Sequence, residues 1–272
     1  MLINKHSIIL TVHNKGFLLP QVLNGLKINT VGDYELIVVL DGCSDNSKEV
    51  ITSFKSEHPT INITIIETPD VFETKANNAG VKLASGEIVI IVQDDMVINE
   101  YDWNNRITKP FIMFEDVFAV TANCAHNWEI NPNSKHLQTT EDNDYEWSDI
   151  LNHVDHANKT NTPRNIFRIR QCVNRGPLAI NHNDLKKLNY FDENFSPLDM
   201  DDHDLCFRMS EQIGKVVGCY WIDYISDLSW GGTRTGGSTA GWHLLSNQKN
   251  TRIVYDRHKN KINNKILIDR VC

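Results

Sequence analysis

The sequence predicts an α/β protein, and two patterns in its first hundred residues support this. Four apolar runs rich in β-branched residues begin at Ser7, Glu35, Ile61 and Glu87. They are continuous rather than alternating, which is typical of strands covered on both faces. Segments with helical spacing lie between them, and such alternation implies parallel pairing with right-handed crossovers. We therefore expect a Rossmann-like, mostly parallel sheet with helices on both faces.

Two of the connecting segments, 17–28 and 74–84, are predicted to be helices. In each, apolar residues recur every three or four positions and share one face of a helix. These residues are Leu18, Val22 and Leu26 in the first segment, and Ala76, Ala79 and Leu83 in the second. Gly86 follows the second segment as a stop signal.

The second half of the chain has a different pattern. Residues 126 to about 164 are polar and are predicted to form a long irregular excursion. Structure is expected to resume over 171–182, with a short helix near Leu185 and an acidic helix start at Asp201. We predict one continuous domain, in which residues 1–99 form one half and residues 100–272 form the other.

Composition excludes several classes of protein. The chain has 272 residues, 40% of them hydrophobic, which suits an ordinary globular core. A net charge of −8 disfavours nucleic-acid binding through phosphates. Six cysteines without a C-x-x-C pair argue for free thiols rather than structural zinc or a disulfide framework. No apolar run approaches the roughly 20 residues of a transmembrane helix, and the start of the chain lacks signal-peptide features, so we expect a cytoplasmic location.

The stretch 257–270 is locally basic and contains some apolar residues. Peripheral contact with an anionic membrane surface is one interpretation, and a solvated terminal segment is the other.

Polar residues follow three of the predicted strands. Thr11 and His13 come after the first strand, Asp41 after the second, and Asp94 and Asp95 after the fourth. In open α/β sheets, ligands bind beyond the carboxyl ends of the strands. The sequence therefore predicts a ligand site at this edge.

Asp94 and Asp95 are candidate metal ligands. Adjacent carboxylates repel each other unless a cation or water relieves the charge. Mg²⁺ or Mn²⁺, which takes one or two carboxylates and bridges a diphosphate, suits such a pair. A solvated turn is the alternative. His243 is a candidate third ligand, although a lone histidine is more often structural.

Two further acidic segments have structural and functional interpretations. Asp41 lies in a turn whose Ser44 or Asp45 would cap a helix, and its carboxylate would also accept a hydrogen bond from a uracil-type base. Asp199, Asp201, Asp202 and Asp204 surround the start of a helix, where acids complement the dipole. Mutual repulsion would raise at least one pKa among them, which suits a general base.

These segments, in this order, resemble the family-2 glycosyltransferases of the GT-A fold. The similar segments are SIILTVHNK, ELIVVLDGCSDNS, KANNAGVKLASGEIVIIVQDDM and FDENFSPLDMDDHDLCFRM, within residues 6–100 and 171–215. The resemblance implies a GT-A-like sheet with an acceptor-side α+β half. It also implies that residues 1–99 bind a nucleotide sugar and that residues 100–272 bind the acceptor and carry the catalytic base.

The resemblance also implies roles for single residues. Thr11, His13 and Asp41 would hold the nucleoside, and Lys75 and Asn78 would lie near the base or the diphosphate. Asp94 would approach the ribose or the metal, Asp95 would ligate the metal, and Asp202 would be the catalytic base. Arg175 and Trp230 are candidate acceptor contacts, since sugars stack on indoles and hydrogen-bond to guanidinium, and they also have interpretations as packing residues.

The sequence departs from the family pattern in a few places. Leu40 and Gln93 stand where many members carry Asp. Because of Gln93, Asp94 is expected to share the coordination of the metal with Asp95. Asp201 replaces the usual Glu, which leaves the base between Asp201 and Asp202.

The function implied is an inverting, metal-dependent transferase that moves a sugar from a nucleoside-diphosphate sugar to a glycan or lipid-linked glycan. A UDP-sugar is favoured, through Asp41. One alternative is a catalytically silent nucleotide-sugar or glycan-binding module. A nucleotidyltransferase is a further alternative, disfavoured because residues 11–18 contain only Lys15 and Gly16 of the basic, Gly-rich phosphate loop that class needs.

Overall fold

The computed structural model describes residues 3, 5–130, 145–152, 163–197, 199–230 and 241–272. The strands are β1 (His6–Val12), β2 (Tyr34–Asp41), β3 (Asn62–Thr68), β4 (Ile88–Gln93), β5 (Val97–Ile98), β6 (Val117–Thr121), β7 (Cys124–Ile130), β8 (Tyr145–Asn152), β9 (Ile166–Arg170), β10 (Cys172–Val173), β11 (Leu178–Asn181), β12 (Val216–Cys219), β13 (Tyr224–Ile225) and β14 (Ile268–Val271). The α-helices are α1 (Leu19–Asn29), α2 (Ser47–Glu57), α3 (Phe72–Val81), α4 (Trp103–Met113), α5 (His182–Lys187), α6 (Asp201–Gln212) and α7 (Gly241–His258).

A nine-stranded sheet forms the centre, in the order β14-β9-β12-β6-β11-β4-β1-β2-β3. The four predicted strands are all present, and β3, β2, β1 and β4 pair in parallel as expected. Strand β11 runs antiparallel to both of its neighbours, and β9 does the same, so the other strands share one direction. The prediction of a mostly parallel sheet is therefore confirmed, and strands of both halves extend the same sheet.

Helices cover both faces of this sheet, because neighbouring residues of the central strands point to opposite sides. Ile8 and Leu10 of β1 pack in one apolar cluster with α1, α2 and α4. Ile9 packs in the other, with α3, α5, α6 and α7. The apolar runs of β1, β2 and β4 thus correspond to strands buried on both sides, whereas in the edge strand β3 only Ile63 is buried.

Two predictions about local structure were inaccurate. The second predicted helix, α3, ends at Val81, which leaves Leu83 outside it and 51% exposed. Part of the expected irregular excursion is ordered, because β7 and β8 pair antiparallel within a small sheet that includes β10. The polar residues there are internally bonded: Asn127 Oδ1 accepts from the backbone N–H of Gln171 and of Ile266, both at 3.1 Å. Because these residues are polar, the sequence pattern gives no sign that they are buried.

Two expectations drawn from composition can be compared with the structure. The six cysteines are free thiols, as predicted. Within the described ranges, no helix has the length and apolar character needed to cross a membrane.

Candidate active site

The carboxyl ends of β1, β2 and β4 meet, as the sequence predicts. His13, just after β1, lies with its Nδ1 2.6 Å from the backbone oxygen of Asp41 at the end of β2. The backbone N–H of His13 donates to Asp94 Oδ2 at 2.8 Å, directly after β4. One residue therefore ties three strand ends together at the edge where an α/β sheet binds its ligand.

Asp41 is fully buried and organises the neighbouring loop. Its Oδ1 accepts from Thr68 Oγ1 at 2.8 Å and from the backbone N–H of Val71 at 2.9 Å. Gly42 follows with φ of +59°, and a Cβ there would come within 2.7 Å of Asp70. Only glycine permits this close approach, so the Asp-Gly pair shapes the turn as its structural interpretation predicts.

Helix α3 carries three polar residues, Lys75, Asn77 and Asn78, with different surroundings. Asn77 Oδ1 accepts from Thr11 Oγ1 at 2.7 Å, so it faces the end of β1. Asn78, predicted near the nucleotide, instead directs its amide at Phe191, accepting from that backbone N–H at 3.2 Å and donating to the backbone oxygen at 2.9 Å. Lys75 is exposed. The structure thus brings Asn77 to the strand ends and gives Asn78 a packing role.

Asp94 and Asp95 are half-buried carboxylates in the turn after β4. Burial, assisted by Asp95, raises the pKa of Asp94 to about 7, against the opposing hydrogen bond from His13 and the charge of Lys15. Burial also raises the pKa of Asp95, again opposed by Lys15. Lys15 is therefore a nearby cation. The sequence motifs assigned it no role at this site, although it lies only three positions after the end of β1.

The residues present fit a hard divalent cation. Asp95 Oδ1 is buried and has no hydrogen-bond partner, and a buried carboxylate oxygen without a donor suits a cation. In the part of the chain that the structure describes, no three His, Cys, Asp or Glu side chains are arranged to hold a metal. Mg²⁺ and Mn²⁺ commonly take one or two carboxylates and complete their shell with water and phosphate oxygens. The side chain of His243, the predicted third ligand, lies outside the described residues.

A second acidic cluster lies at the start of α6. Asp201 is fully buried and its two oxygens accept from Arg175 Nη1 and Nη2 at 2.5 and 2.7 Å. The Nε of Arg175 lies 3.3 Å from Glu73 Oε1. The predicted acceptor role of this guanidinium is therefore not supported, because the group is buried between two carboxylates. Asp201 is likewise committed to an ion pair, which weighs against Asp201 as the base.

Asp202 is the second carboxylate of this cluster, and its two oxygens accept from different donors. Oδ1 accepts from the backbone N–H of His203 at 2.9 Å, and Oδ2 accepts from the backbone N–H of Arg175 at 3.2 Å. Burial would raise the pKa of Asp202, but His203 and Arg175 outweigh burial and hold that pKa well below its usual range. The expectation that mutual repulsion tunes the base was wrong, because cationic and N–H partners compensate these charges.

Glu73 and Gln93 connect the two clusters. Gln93 Nε2 donates to Glu73 Oε1 at 2.8 Å, and the same oxygen faces Arg175. Gly176 has φ of +89°, and a Cβ there would come within 2.4 Å of Gln93 Oε1 and 2.2 Å of Met96 Cε. This close approach brings the loop before β11 against the turn that holds Asp94. No local pattern in the sequence marks Glu73.

Trp230 also lies near the first cluster. Its backbone oxygen accepts from Lys15 Nζ at 2.5 Å, and its side chain packs against the apolar cluster under α1. The Gly-rich residues that follow, 231–240, lie outside the described residues. Trp230 is thus tied to the turn that precedes α1, and its acceptor role stays a prediction.

Asp204, in the first turn of α6, is interpreted as a residue that stabilises the fold rather than as a catalytic one. It is fully buried and accepts from Arg208, Arg257 and His258 at 2.6 to 3.0 Å. Burial would raise its pKa, but these partners lower it below the ordinary value near 3.8. Such a carboxylate stabilises the fold above pH 3.8, and this contribution is lost as the pH falls through the folded-state value.

Asp204→Asn should therefore lower the free energy of unfolding at pH 7 by about 3 kcal/mol. The difference from wild type should narrow as the pH falls below about 3.8 and close only below the lower folded-state pKa, where neither protein carries the charge. Thermal melts from pH 3 to 8 measure it. Asp256→Asn, which alters an exposed carboxylate on α7, is the matched control and should show a small difference throughout. A gap that persists undiminished at pH 3 would contradict the assignment.

The fold and site together define an α/β protein with two linked acidic clusters at the carboxyl edge of its sheet. The family model for glycosyl transferase family 2 matches residues 7–177, which is more than half of the chain. The chain therefore belongs to glycosyl transferase family 2.

Individual relatives agree with this assignment. The chain is 31% identical over 112 residues to the poly-beta-1,6-N-acetyl-D-glucosamine synthase of Staphylococcus epidermidis, an alignment covering 40% of this chain and 24% of that protein. It resembles S. aureus TarS in complex with UDP, with a TM-score of 0.53 and 16% identity, over 81% of this chain and 59% of that one.

A further solved structure is similar over most of the chain. This is the mannosyltransferase PcManGT from Pyrobaculum calidifontis in complex with GDP-Man and Mn²⁺, with a TM-score of 0.54 and 16% identity, over 94% of this chain and 62% of that one. The predicted GT-A fold is confirmed by these likenesses. The chain spans less than two thirds of each of these three relatives.

Proposed function

We propose that this chain is an inverting, metal-dependent glycosyltransferase that moves a sugar from a nucleoside-diphosphate sugar to an acceptor hydroxyl. The observation that carries the proposal is the physical link between the two acidic clusters. Asp94 and Asp95 reach Asp202 through Gln93, Glu73 and Arg175. Transfer of a sugar needs a site for the leaving diphosphate and a base for the incoming hydroxyl, and this network holds candidates for both in one place.

Asp95 and Asp94 would hold Mn²⁺ or Mg²⁺. When bound, such an ion acts as a Lewis acid that stabilises charge on a diphosphate leaving group. Support comes from the buried, unpartnered Oδ1 of Asp95 and from the raised pKa of both carboxylates. PcManGT, a solved neighbour, contains Mn²⁺. Lys15 supplies a fixed positive charge beside the same carboxylates, which also favours an anionic ligand.

Asp202 would be the catalytic base. An acceptor hydroxyl has a high pKa and needs a positioned carboxylate to receive its proton as the new bond forms. Arg175 occupies both oxygens of Asp201, and three cationic or imidazole partners occupy Asp204. Asp202 Oδ2, with one long backbone hydrogen bond, retains accepting capacity. One base opposite the leaving group implies in-line attack and inversion.

Residues 1–99 would bind the donor. His13, Asp41 and Thr11 lie at adjoining strand ends and would contact the nucleoside, while Asn77 joins Thr11 there and replaces Asn78 in our assignment. A uridine nucleotide is favoured through Asp41, whose carboxylate would accept from the ring N–H. TarS, a structural neighbour, is solved with UDP. Residues 100–272 would bind a glycan or lipid-linked glycan acceptor.

A catalytically silent nucleotide-sugar or glycan-binding module is the competing function. The geometry of Asp202 favours the enzyme, because a binding module has no use for a fixed carboxylate whose Oδ2 retains accepting capacity. Donor hydrolysis and transfer assayed with Mn²⁺ across an acceptor panel separate the two. If the donor binds but neither hydrolysis nor transfer is detected, the transferase proposal is rejected.

Asp95→Asn should abolish metal-dependent donor binding, because an amide is a much weaker ligand than a carboxylate for a hard cation. A thermal-shift screen of UDP-, GDP-, TDP- and CMP-sugars with and without Mn²⁺ identifies the donor and measures the loss, since ligand binding to the folded state raises Tm. Asp33→Asn is the control, as an exposed carboxylate before β2 at the opposite sheet edge. Unchanged donor affinity of Asp95→Asn at saturating Mn²⁺ would reject the ligand assignment.

A further inference from the structure

Two buried histidines, His203 and His126, form a row of contacts that begins at Asp202. The Nδ1 of His203 is 2.8 Å from Asp202 Oδ1, and the Nε2 of His203 is 2.9 Å from the Nε2 of His126 on β7. The Nδ1 of His126 is 3.8 Å from Cys124 Sγ. Trp147 stacks on His126, with ring centroids 4.0 Å apart and planes at 13°. Both imidazoles are at most 2% exposed, so these two rings are separated from solvent.

The short contact between the two Nε2 atoms restricts where the protons are. Two nitrogens at 2.9 Å need one N–H and one lone pair. A carboxylate only accepts, so the Nδ1 of His203 carries a hydrogen. Burial holds the pKa of His126 well below its usual range, which keeps this ring neutral with a single N–H.

One arrangement satisfies every position with a donor and an acceptor. Cys124 S–H donates to His126 Nδ1, because burial raises the pKa of this thiol to about 12 and retains its proton. His126 Nε2–H then donates to His203 Nε2, and His203 Nδ1–H faces Asp202 Oδ1. The opposite arrangement, with a cationic His203, would leave His126 Nδ1–H against sulfur, which is a weak acceptor.

We propose that His126 and His203 are positioning residues that hold the base Asp202 through a row of short polar contacts and keep its Oδ2 available to the acceptor. This rests on the proposed function. Oδ1 accepts from the backbone N–H of His203 and lies 2.8 Å from the Nδ1 of the same residue, and these two contacts restrict rotation of the carboxylate. His126 acts one step further away, by directing the Nδ1–H of His203 toward the base.

Substitution at His126 separates positioning from packing. His126→Phe keeps a flat ring beneath Trp147 but removes the N–H, whereas His126→Gln keeps an N–H near the Nε2 position but loses the ring. A positioning role predicts that His126→Phe lowers kcat about tenfold with donor KM unchanged, and that His126→Gln stays near wild type. A packing role predicts the reverse order, because Phe preserves apolar volume in a buried site.

His258→Phe is the matched control. His258 is equally buried, lies 3.0 Å from a carboxylate of the same helix, Asp204, and stacks on Phe207. Its replacement should lower Tm without lowering kcat. Imidazole ¹⁵N NMR of the wild-type chain provides a measurement independent of any variant, and should show His126 protonated at Nε2 and His203 at Nδ1.

The outcomes are distinct. Wild-type kcat in His126→Phe, an equal loss in His126→Gln, or the opposite tautomers by NMR would each overturn the positioning role while leaving the proposed function in place. A wild-type chain that transfers no sugar to any acceptor would overturn the proposed function, and this inference with it.

Discussion

Asp202→Asn is expected to lower kcat by at least about 100-fold while leaving donor affinity at its wild-type value. The amide preserves the volume of the side chain, and its oxygen can still accept from one of the two backbone N–H groups that Asp202 binds, so the variant should fold. It cannot receive a proton from the acceptor hydroxyl. Asp202 is linked to Asp94 and Asp95 only indirectly, through Arg175, Glu73 and Gln93, and the substitution leaves all of these residues unchanged, so donor binding should be unaffected.

Single-turnover transfer and donor titration, measured side by side, test this expectation. Asp204→Asn is the control from the same helical turn, because its carboxylate is occupied by Arg208, Arg257 and His258. It should lose stability and keep turnover. Near-normal kcat in Asp202→Asn would move the base to Asp201 or Asp204, and a loss of donor affinity would show that the acidic clusters are coupled.

Arg175→Met should be the most destabilising single change at the site. The guanidinium is buried and compensates Asp201, which is fully buried, and Glu73. Removing one partner of a buried ion pair leaves an uncompensated charge and costs about 3–5 kcal/mol. For a chain of this size, Tm should fall by roughly 10 °C.

A double variant identifies the cause. Arg175→Met combined with Asp201→Asn removes both charges of the closest pair, and should recover part of the lost stability. Additive losses in the double variant would show that Arg175 stabilises the fold by packing on Phe191 rather than by charge. Differential scanning calorimetry of the two single variants and the double variant gives this comparison directly.

Much of the fold of residues 1–99 could be predicted because its signals are local. Strands β1 to β4 appear as continuous apolar runs, and the residues directly after them meet at one edge of a parallel sheet. His13, Asp41 and Asp94 follow from that rule alone. Lys15 was within reach of the same rule, since it follows β1 by three positions.

Residues 100–272 were harder to predict, because their polar side chains are buried by partners distant in sequence. His126 and His203 are 77 positions apart, and Asn127 bonds a residue 139 positions away. Polarity in such segments suggested an irregular excursion, whereas internal hydrogen bonds allow β7 and β8 to form.

The sequence by itself determined the order of strands and helices, the edge that carries the site, and the carboxylates gathered there. Local periodicity and strand ends encode these features. Only the tertiary structure decided which carboxylates are available. Asp201 and Asp202 are adjacent and chemically identical, yet Arg175 occupies both oxygens of one, while backbone N–H groups and His203 hold the other. The pKa and the availability of a buried carboxylate depend on the partners that the fold places beside it.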